Sequence, residues 1–204
     1  MADIDLYVDP VCPFAWVAAQ WLLDTAADQH AVTLRPMSLA VLNGDHDVDA
    51  DHAPMIVRSR RLGRVFAAAV QQYGQTAFSP LYTEFGVRLH AHARQADDAV
   101  AAALAATGFD QQLIEALDDT RYDAAVAQAH RASQTVLGGR SGSPIISVDG
   151  HVFSGPVLTE LPAPGHATEL LAAIVTAATT PGFAALQRPY QGPPAVADVE
   201  EEQR

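Results

Sequence analysis

The chain has 204 residues, with 24 acidic side chains against 12 basic ones, all of them arginine, and a formal net charge of −12 at pH 7. This acidity excludes nucleic acid as an expected partner, because binding to phosphates needs clustered basic side chains. No run of 18 or more apolar residues occurs and the first residues lack a hydrophobic signal segment, so we expect a cytoplasmic protein with no membrane partner.

The first part of the chain predicts a strand, a helix and a second strand. Apolar and polar residues alternate over positions 4–8 and stop at Asp9-Pro10, which is typical of a strand that ends in a turn. Pro13 suits the first position of a helix because its missing N–H costs nothing there, and an apolar stripe continues from it to Ala26. Alternation returns over residues 32–37, and a right-handed crossover would make the two strands parallel neighbours in an α/β core.

The sole cysteine of the chain, Cys12, lies between the first strand and this helix. The unpaired amides and positive dipole at a helix start stabilise a thiolate, so such positions lower a cysteine pKa from roughly 8.5 to between about 3.5 and 7.5. We therefore expect Cys12 to cap the helix as an activated nucleophile. The alternative is a buried structural cysteine, since free cysteines are among the most buried residues. Without a second cysteine the chain can form no internal disulfide, which fits a reducing compartment.

An acidic, turn-rich loop and a long helical region follow. The loop spans residues 43–52, where His46, His52 and the interleaved aspartates are of metal-ligand type, but their spacing matches no compact site and we expect no metal. From residue 54 to 137 the pattern is helical almost throughout. It predicts helices over residues 55–73, 80–92, 97–106 and 111–137, the last interrupted near residues 118–120 with Thr120 as a cap.

Strands return after the helical region. Residues 143–148 and 151–153 flank Asp149-Gly150, a dipeptide that is a strong hairpin signal between two apolar runs. A final amphipathic helix is predicted over residues 165–179. We therefore expect an α/β domain formed by residues 1–45 and 139–190, an inserted all-helical domain over 53–138, and a flexible acidic tail over 191–204.

This order of elements, with a cysteine at the start of the first helix, is that of the thioredoxin fold with a helical insertion. Four segments carry a closer likeness. They are Asp9-Pro10-Val11-Cys12-Pro13-Phe14-Ala15-Trp16, Met37-Ser38-Leu39-Ala40-Val41-Leu42-Asn43, Pro80-Leu81-Tyr82 with His90, and the stretch from Gly142-Ser143-Pro144 to Phe153-Ser154-Gly155-Pro156-Val157-Leu158. In these segments the chain resembles the actinobacterial DsbA-like mycothiol-dependent nitroreductases, and the similarity spans nearly its whole length.

The resemblance implies a nucleophilic Cys12. In family members with a Cys-Pro-aromatic-Cys motif the first cysteine attacks, and the position of the second, resolving cysteine is Ala15 here. The expected cycle is that of a monothiol, in which a low-molecular-weight thiol such as mycothiol is the cosubstrate and no cofactor is tightly bound. The resemblance also implies that Pro144 is cis against the sulfur and that the backbone of Ser143 pairs with a thiol substrate. The alternative for Pro144 is an ordinary proline at a strand start.

Histidine and arginine side chains are further candidates. The resemblance places His90 near the nucleophile, where it could stabilise the thiolate or donate a proton; the alternative is a helix-end residue at a negative dipole. An arginine run in the first helix of the helical region could bind an anion, although such runs are more often a solvated face. It consists of Arg58, Arg60, Arg61 and Arg64.

Several residues around the cysteine are candidates for binding the substrate or the small thiol. They are Pro13, Phe14, Ala15 and Trp16, together with Ser143 and Pro144. The rings of Phe14 and Trp16 could form a wall for a flat substrate, whereas Trp21 fits the core by its helical spacing. Asn43 is a candidate by position for the sugar groups of mycothiol.

These features support three hypotheses about function. The first is a thiol-dependent oxidoreductase of the DsbA family that acts on mixed disulfides, thiolated proteins or small electrophiles such as nitroaromatics. The second resembles the kappa-class glutathione transferases and hydroxychromene-carboxylate isomerases, with Cys12 activating a bound thiol through a hydrogen bond. The third is a redox-silent protein that binds a thiol or peptide beside Pro144. The alanine-rich insertion could also hide a homodimer face.

Overall fold

The computed structural model describes residues 1–26, 29–44 and 50–196 of the chain. These residues form a mixed α/β structure around a four-stranded sheet. Its strands are β1 (Asp3–Val8), β2 (Ala31–Pro36), β3 (Ile145–Val148) and β4 (His151–Ser154), in the order β2-β1-β3-β4. Because β1 pairs with β2 in parallel and with β3 antiparallel, it lies inside the sheet and places the loop after Val8 at the centre of the sheet edge.

Helices cover the sheet and fill the chain between β2 and β3. They are α1 (Pro13–Ala26), α2 (Leu39–Leu42), α3 (Ala53–Tyr73), α4 (Phe78–Gly86), α5 (Ala96–Thr107), α6 (Asp123–Leu137) and α7 (Pro164–Thr179). Shorter turns connect them: 3-10 segments at Gln75–Ala77, Gln111–Asp118 and Thr120–Tyr122, and a π-helical segment at Val87–Ala91. None of the helices in the described ranges is both long and apolar enough to cross a membrane.

The strands and the hairpin agree with the sequence patterns. The parallel pairing of the first two strands, the helix that begins at Pro13 and the antiparallel pairing of β3 with β4 are confirmed. At the hairpin turn Asp149 and Gly150 have φ values of 49° and 83°. This left-handed backbone is accessible to glycine and tolerated by aspartate, which is why Asp-Gly is a hairpin signal.

The helices differ from the prediction in several places. Residues 111–118 and 120–122 form 3-10 turns instead of the first part of a long α-helix. Thr120 does not cap α6; the side chain of Asp119 accepts from the amide of Arg121 and caps the preceding turn instead. The short helix α2 was not predicted, because four residues are too few to show a helical period; it begins where the Ser38 hydroxyl accepts from the amide of Val41 at 3.2 Å.

A continuous hydrophobic core holds α1 in place. Trp21 is 2% exposed, as expected for a core residue, and its indole N–H donates to the carbonyl of Ala167 at 3.1 Å, which fixes α1 against α7. A second group of rings packs α4 against α3. This group contains Phe66, Phe78, Tyr82 and Phe85. The start of α1, where Cys12 lies, is therefore positioned by buried contacts on a central helix.

Candidate active site

Cys12 caps the N-terminus of α1. Its amide donates to the carbonyl of Asp9 at 3.0 Å, which closes a tight turn after β1, and its own carbonyl accepts from the amide of Trp16 at 3.1 Å. The predicted position at the strand-to-helix junction is therefore confirmed.

The sulfur of Cys12 is buried, with only 5% of the residue exposed. Its S–H donates to the carbonyl of Ser143 at 3.2 Å. Burial raises the pKa of Cys12 to about 11, and the amides of Ala15 and Phe14 at the helix start lower it by less. The expectation of a lowered pKa is wrong. Removing a thiolate from water destabilises it by more free energy than the amides and dipole of the helix start contribute to stabilising it. The resting group is a thiol.

Ser143 and Pro144 lie directly against the cysteine loop. The peptide bond between them is cis. The hydroxyl of Ser143 accepts from the amide of Asp9 at 2.9 Å, while its carbonyl accepts the S–H of Cys12. The carbonyl of Pro144 accepts from the amide of Gly155 at 2.9 Å, which ties this corner to the end of β4. The hydrogen bond that the Ser143 carbonyl accepts in this structure therefore comes from the Cys12 S–H.

Asp9 is a site residue that the sequence interpretation missed. It is completely buried. One carboxylate oxygen accepts from the amide of Val11 at 2.9 Å, and the other accepts from the amide of Leu39 at 2.6 Å and the hydroxyl of Ser59 at 2.5 Å. Burial raises the pKa of Asp9, and the three donors, which lower it, offset the effect of burial only in part. An aspartate before a proline resembles an ordinary turn residue, so the sequence carries no signal of this burial.

His90 reaches the cysteine loop from the π-helical segment after α4. Its Nε2–H donates to the carbonyl of Pro10 at 3.0 Å, and its ring stacks on Trp16 with 5.9 Å between ring centroids. Burial lowers the pKa of His90 to about 4, with a smaller contribution from Arg58 in the same direction. The imidazole is neutral at pH 7, so it supplies no positive charge for a thiolate; its described role is to hold the loop two residues before Cys12.

Trp16 and Tyr82 form an internal wall beside the cysteine loop. Trp16 is 2% exposed and its ring lies 6.0 Å from that of Tyr82, so it faces the core and not an open surface for a flat substrate. The indole N–H of Trp16 and the hydroxyl of Tyr82 are both buried without a hydrogen-bond partner. Burial, with smaller contributions from Cys12 and Asp9, raises the pKa of Tyr82 well above its usual value.

The chain after α7 returns to the start of α1. The ring of Tyr190 meets Phe14 edge-on with 5.2 Å between centroids, and Phe14 is partly buried as a result. The amide of Ala195 donates to the carbonyl of Thr159 at 2.7 Å, and Pro194 is buried. Pro194 and Ala195 are thus held at the loop after β4, while residues 191–193 are exposed; residues 197–204 of the expected tail lie outside the described ranges.

Pro13 and Ala15 occupy the first turn of α1, where Pro13 is partly buried and Ala15 fully buried. Asn43 closes α2, because its side-chain amide donates to the carbonyl of Leu39 at 2.8 Å. Its described contact is therefore with α2 and not with Cys12. The same helix start binds Asp9 through the Leu39 amide, so Asn43 is linked to the site only through α2.

Two of the four arginines proposed as an anion site are held by carboxylates. Arg61 donates to Asp97 at 2.9 Å and to Asp118 at 3.0 Å, and Arg64 donates to Asp123 at 2.6 Å. These pairs link α3 to the helices around it, which favours the structural interpretation of the run. Within the described ranges no group of three or more His, Cys, Asp or Glu residues lies close enough to hold a metal, and His46 lies outside them.

A family model described as mycothiol-dependent nitroreductase Rv2466c matches residues 11–188. The uncharacterized protein Rv2286c of Mycobacterium tuberculosis is 30% identical over 199 residues, which cover 93% of this chain and 83% of that protein.

Solved structures share the fold at low sequence identity. Chlamydia trachomatis DsbA superimposes with a TM-score of 0.57 at 12% identity, covering 86% of this chain and 85% of that one. The probable DsbA oxidoreductase SCO1869 of Streptomyces coelicolor gives a TM-score of 0.56 at 16% identity, covering 93% and 94%. A 2-hydroxychromene-2-carboxylate isomerase gives 0.55 at 16% identity, covering 84% and 94%. The fold is therefore the DsbA-like thioredoxin fold.

Proposed function

Because the chain belongs to the Rv2466c-like family of mycothiol-dependent nitroreductases, we propose that it is a thiol-dependent oxidoreductase in which Cys12 reacts alone and a small thiol completes the cycle. Mycothiol is the small thiol that the family suggests. The substrates we infer are mixed disulfides and small electrophiles such as nitroaromatics.

The observation that carries this proposal is the contact between the Cys12 sulfur and the Ser143 carbonyl, 3.2 Å apart at the start of α1. A substrate whose thiol or other polar group binds the Ser143 carbonyl in place of the Cys12 S–H would lie beside the cysteine sulfur. The sequence contains no second cysteine, and the position that would carry one is Ala15, which is fully buried. A second thiol must therefore come from solution.

The reduction of a mixed disulfide balances when two thiols take part, Cys12 and one small thiol. Cys12 attacks a mixed disulfide, forms a new S–S bond and releases the other half as a thiol, which takes up the cysteine proton. A small thiol then attacks the Cys12 adduct, so that Cys12 regains its proton and a low-molecular-weight disulfide leaves. For a nitro group, reduction to the nitroso form takes two electrons, which two small thiols supply as they form a disulfide and one water is released.

Steady-state turnover tests this proposal. We expect the protein to consume mycothiol in the presence of its mixed disulfide or a nitroaromatic, and to do so faster than with glutathione as the matched thiol. Cys12→Ser should lower the rate by at least about 100-fold, since a hydroxyl cannot form the disulfide intermediate. Equal turnover by the wild-type protein and Cys12→Ser would exclude Cys12 as the nucleophile.

A second candidate is an enzyme in which Cys12 activates a bound thiol without reacting. The observation that favours it is the raised pKa of Cys12, about 11, which keeps an S–H donor available at neutral pH. Such a donor could stabilise the thiolate of a bound small thiol. In that case Cys12→Ser, which retains a hydroxyl donor, would keep much of the activity while Cys12→Ala would lose it.

A further inference from the structure

Five hydrogen bonds converge on Asp9 at the end of β1. Its carbonyl accepts from the Cys12 amide, and its own amide donates to the hydroxyl of Ser143. Its carboxylate accepts from the amides of Val11 and Leu39 and from the hydroxyl of Ser59. Asp9 is thereby joined to the cysteine, to the residue that accepts the cysteine S–H, and to both α2 and α3.

The contacts of the Asp9 carboxylate suit the ionised form. All three partners donate to the carboxyl group, which favours its ionised form and opposes the burial that raises its pKa. The Ser59 hydroxyl accepts from the amide of Ala40 at 3.0 Å and donates to the Asp9 carboxylate. The carboxylate is completely shielded from solvent, so a negative charge on it is little screened by water or salt.

A fixed negative charge beside a thiol opposes the formation of a thiolate. Among the described side chains, Asp9 at the end of β1 and Tyr82 of α4 interact electrostatically with Cys12. Tyr82 stays neutral, and so does His90 of the π-helical segment; Arg58 of α3 acts on His90. Among the described side chains, the Asp9 carboxylate is therefore the charged group that opposes ionisation of the Cys12 thiol, in addition to burial.

We propose that Asp9 is a positioning residue that keeps Cys12 protonated, with its S–H donating to the Ser143 carbonyl. This state lasts until a disulfide or small thiol replaces the S–H as the hydrogen-bond partner of that carbonyl. The proton of Cys12 then passes to the leaving sulfur as the new S–S bond forms. This role rests on the proposed function, in which Cys12 is the reacting group. In the free protein it protects the thiol from alkylation and oxidation.

The test compares the pH dependence of Cys12 alkylation by iodoacetamide in the wild-type protein, Asp9→Asn and Asp5→Asn. Asp5 lies on the same strand but pairs with Arg35 at 2.8 Å, so its substitution makes the same charge change outside the cysteine loop. We expect Asp9→Asn to lower the midpoint by about one pH unit and to raise the rate at pH 7 about tenfold. Asp5→Asn should shift it by less than about 0.3 unit. A folded Asp9→Asn protein with the midpoint of Asp5→Asn would overturn the proposal.

A measurement on the unsubstituted protein covers the case in which Asp9→Asn does not fold. The ¹³C resonance of the Asp9 carboxyl carbon should shift at the pH where Cys12 loses its proton, because the new negative charge on the sulfur changes the electric field at the nearby carboxylate. This inflection should be absent in Cys12→Ser. A resonance that stays constant through the Cys12 titration would contradict the proposal. Neither readout needs turnover, so the result is independent of whether the proposed function holds.

Discussion

The Cys12 thiol is buried at the start of α1, with its S–H on the Ser143 carbonyl and a pKa raised to about 11. At pH 7 only about one molecule in 10,000 then carries a thiolate. We expect alkylation at pH 7 to be roughly 100-fold slower than that of a free cysteine, whose pKa is about two units lower. Thiolate absorbance and alkylation rate against pH, with Cys12→Ser as the blank, should give a midpoint near 11 and not below 8.

At the scale of single residues, the sequence pointed to the candidate nucleophile but not to its environment. A cysteine between a strand and a helix is visible in the printed order, and so is the Ser-Pro corner that meets it. Burial is not visible, because it depends on how Asp9, Tyr82 and the loop after α6 pack in three dimensions. For that reason the expected direction of the Cys12 pKa was wrong and Asp9 was missed.

At the scale of elements, α4 packs on α1 through a glycine. A Cβ on Gly86 would lie 2.2 Å from the Cε3 and Cζ3 atoms of Trp16, a ring enclosed in the core. Gly86→Ala should therefore lower the free energy of unfolding by roughly 3 kcal/mol. Gly165→Ala in α7 is the matched control: its Cβ meets nothing within 4 Å, and removing chain entropy should stabilise by about 0.5 kcal/mol. Urea unfolding measures both, and equal stability of the two variants would contradict this packing.

The segment after α7 is joined to α1 by the Phe14–Tyr190 ring pair. A double-mutant cycle with Phe14→Ala and Tyr190→Ala should give a coupling free energy of about 0.5–1 kcal/mol in thermal or urea unfolding. The same cycle with Leu186→Ala in place of Tyr190→Ala should give about zero, since Leu186 is 91% exposed. No coupling in the first cycle would mean that the segment does not rest on α1 in solution.

At the scale of the whole molecule, His90 should make stability depend on pH. Its folded pKa of about 4 lies below the ordinary value of 6.5, so the unfolded chain binds the proton first as the pH falls. The stabilisation is complete above pH 6.5 and is lost between pH 6.5 and 4, by about 3 kcal/mol. His90→Gln should flatten the pH profile of unfolding in this window; a profile parallel to that of the wild-type protein would show that the fold does not lower the pKa of His90.

The fold as a whole was largely predictable because its signals are local. Alternation in β1 and β2, a proline at the first position of α1 and Asp-Gly in the hairpin each determine one element. What joins those elements is not local. The Trp16–His90 stack and the Asp9–Ser59 hydrogen bond connect residues 74 and 50 positions apart, and no periodicity in the chain shows them.

In the proposed cycle Cys12 forms a covalent bond to a small thiol. The most direct measurement is the intact mass of the protein after incubation with oxidised mycothiol or oxidised glutathione and then with the reduced thiol, with Cys12→Ser as the control. We predict a single adduct on Cys12 that forms with mycothiol and is removed by its reduced form, and no adduct on Cys12→Ser. Alkylation of Cys12 after denaturation is the control that shows its thiol to be reduced and available. If the protein passes this control but neither disulfide modifies it, the proposed covalent role of Cys12 is contradicted.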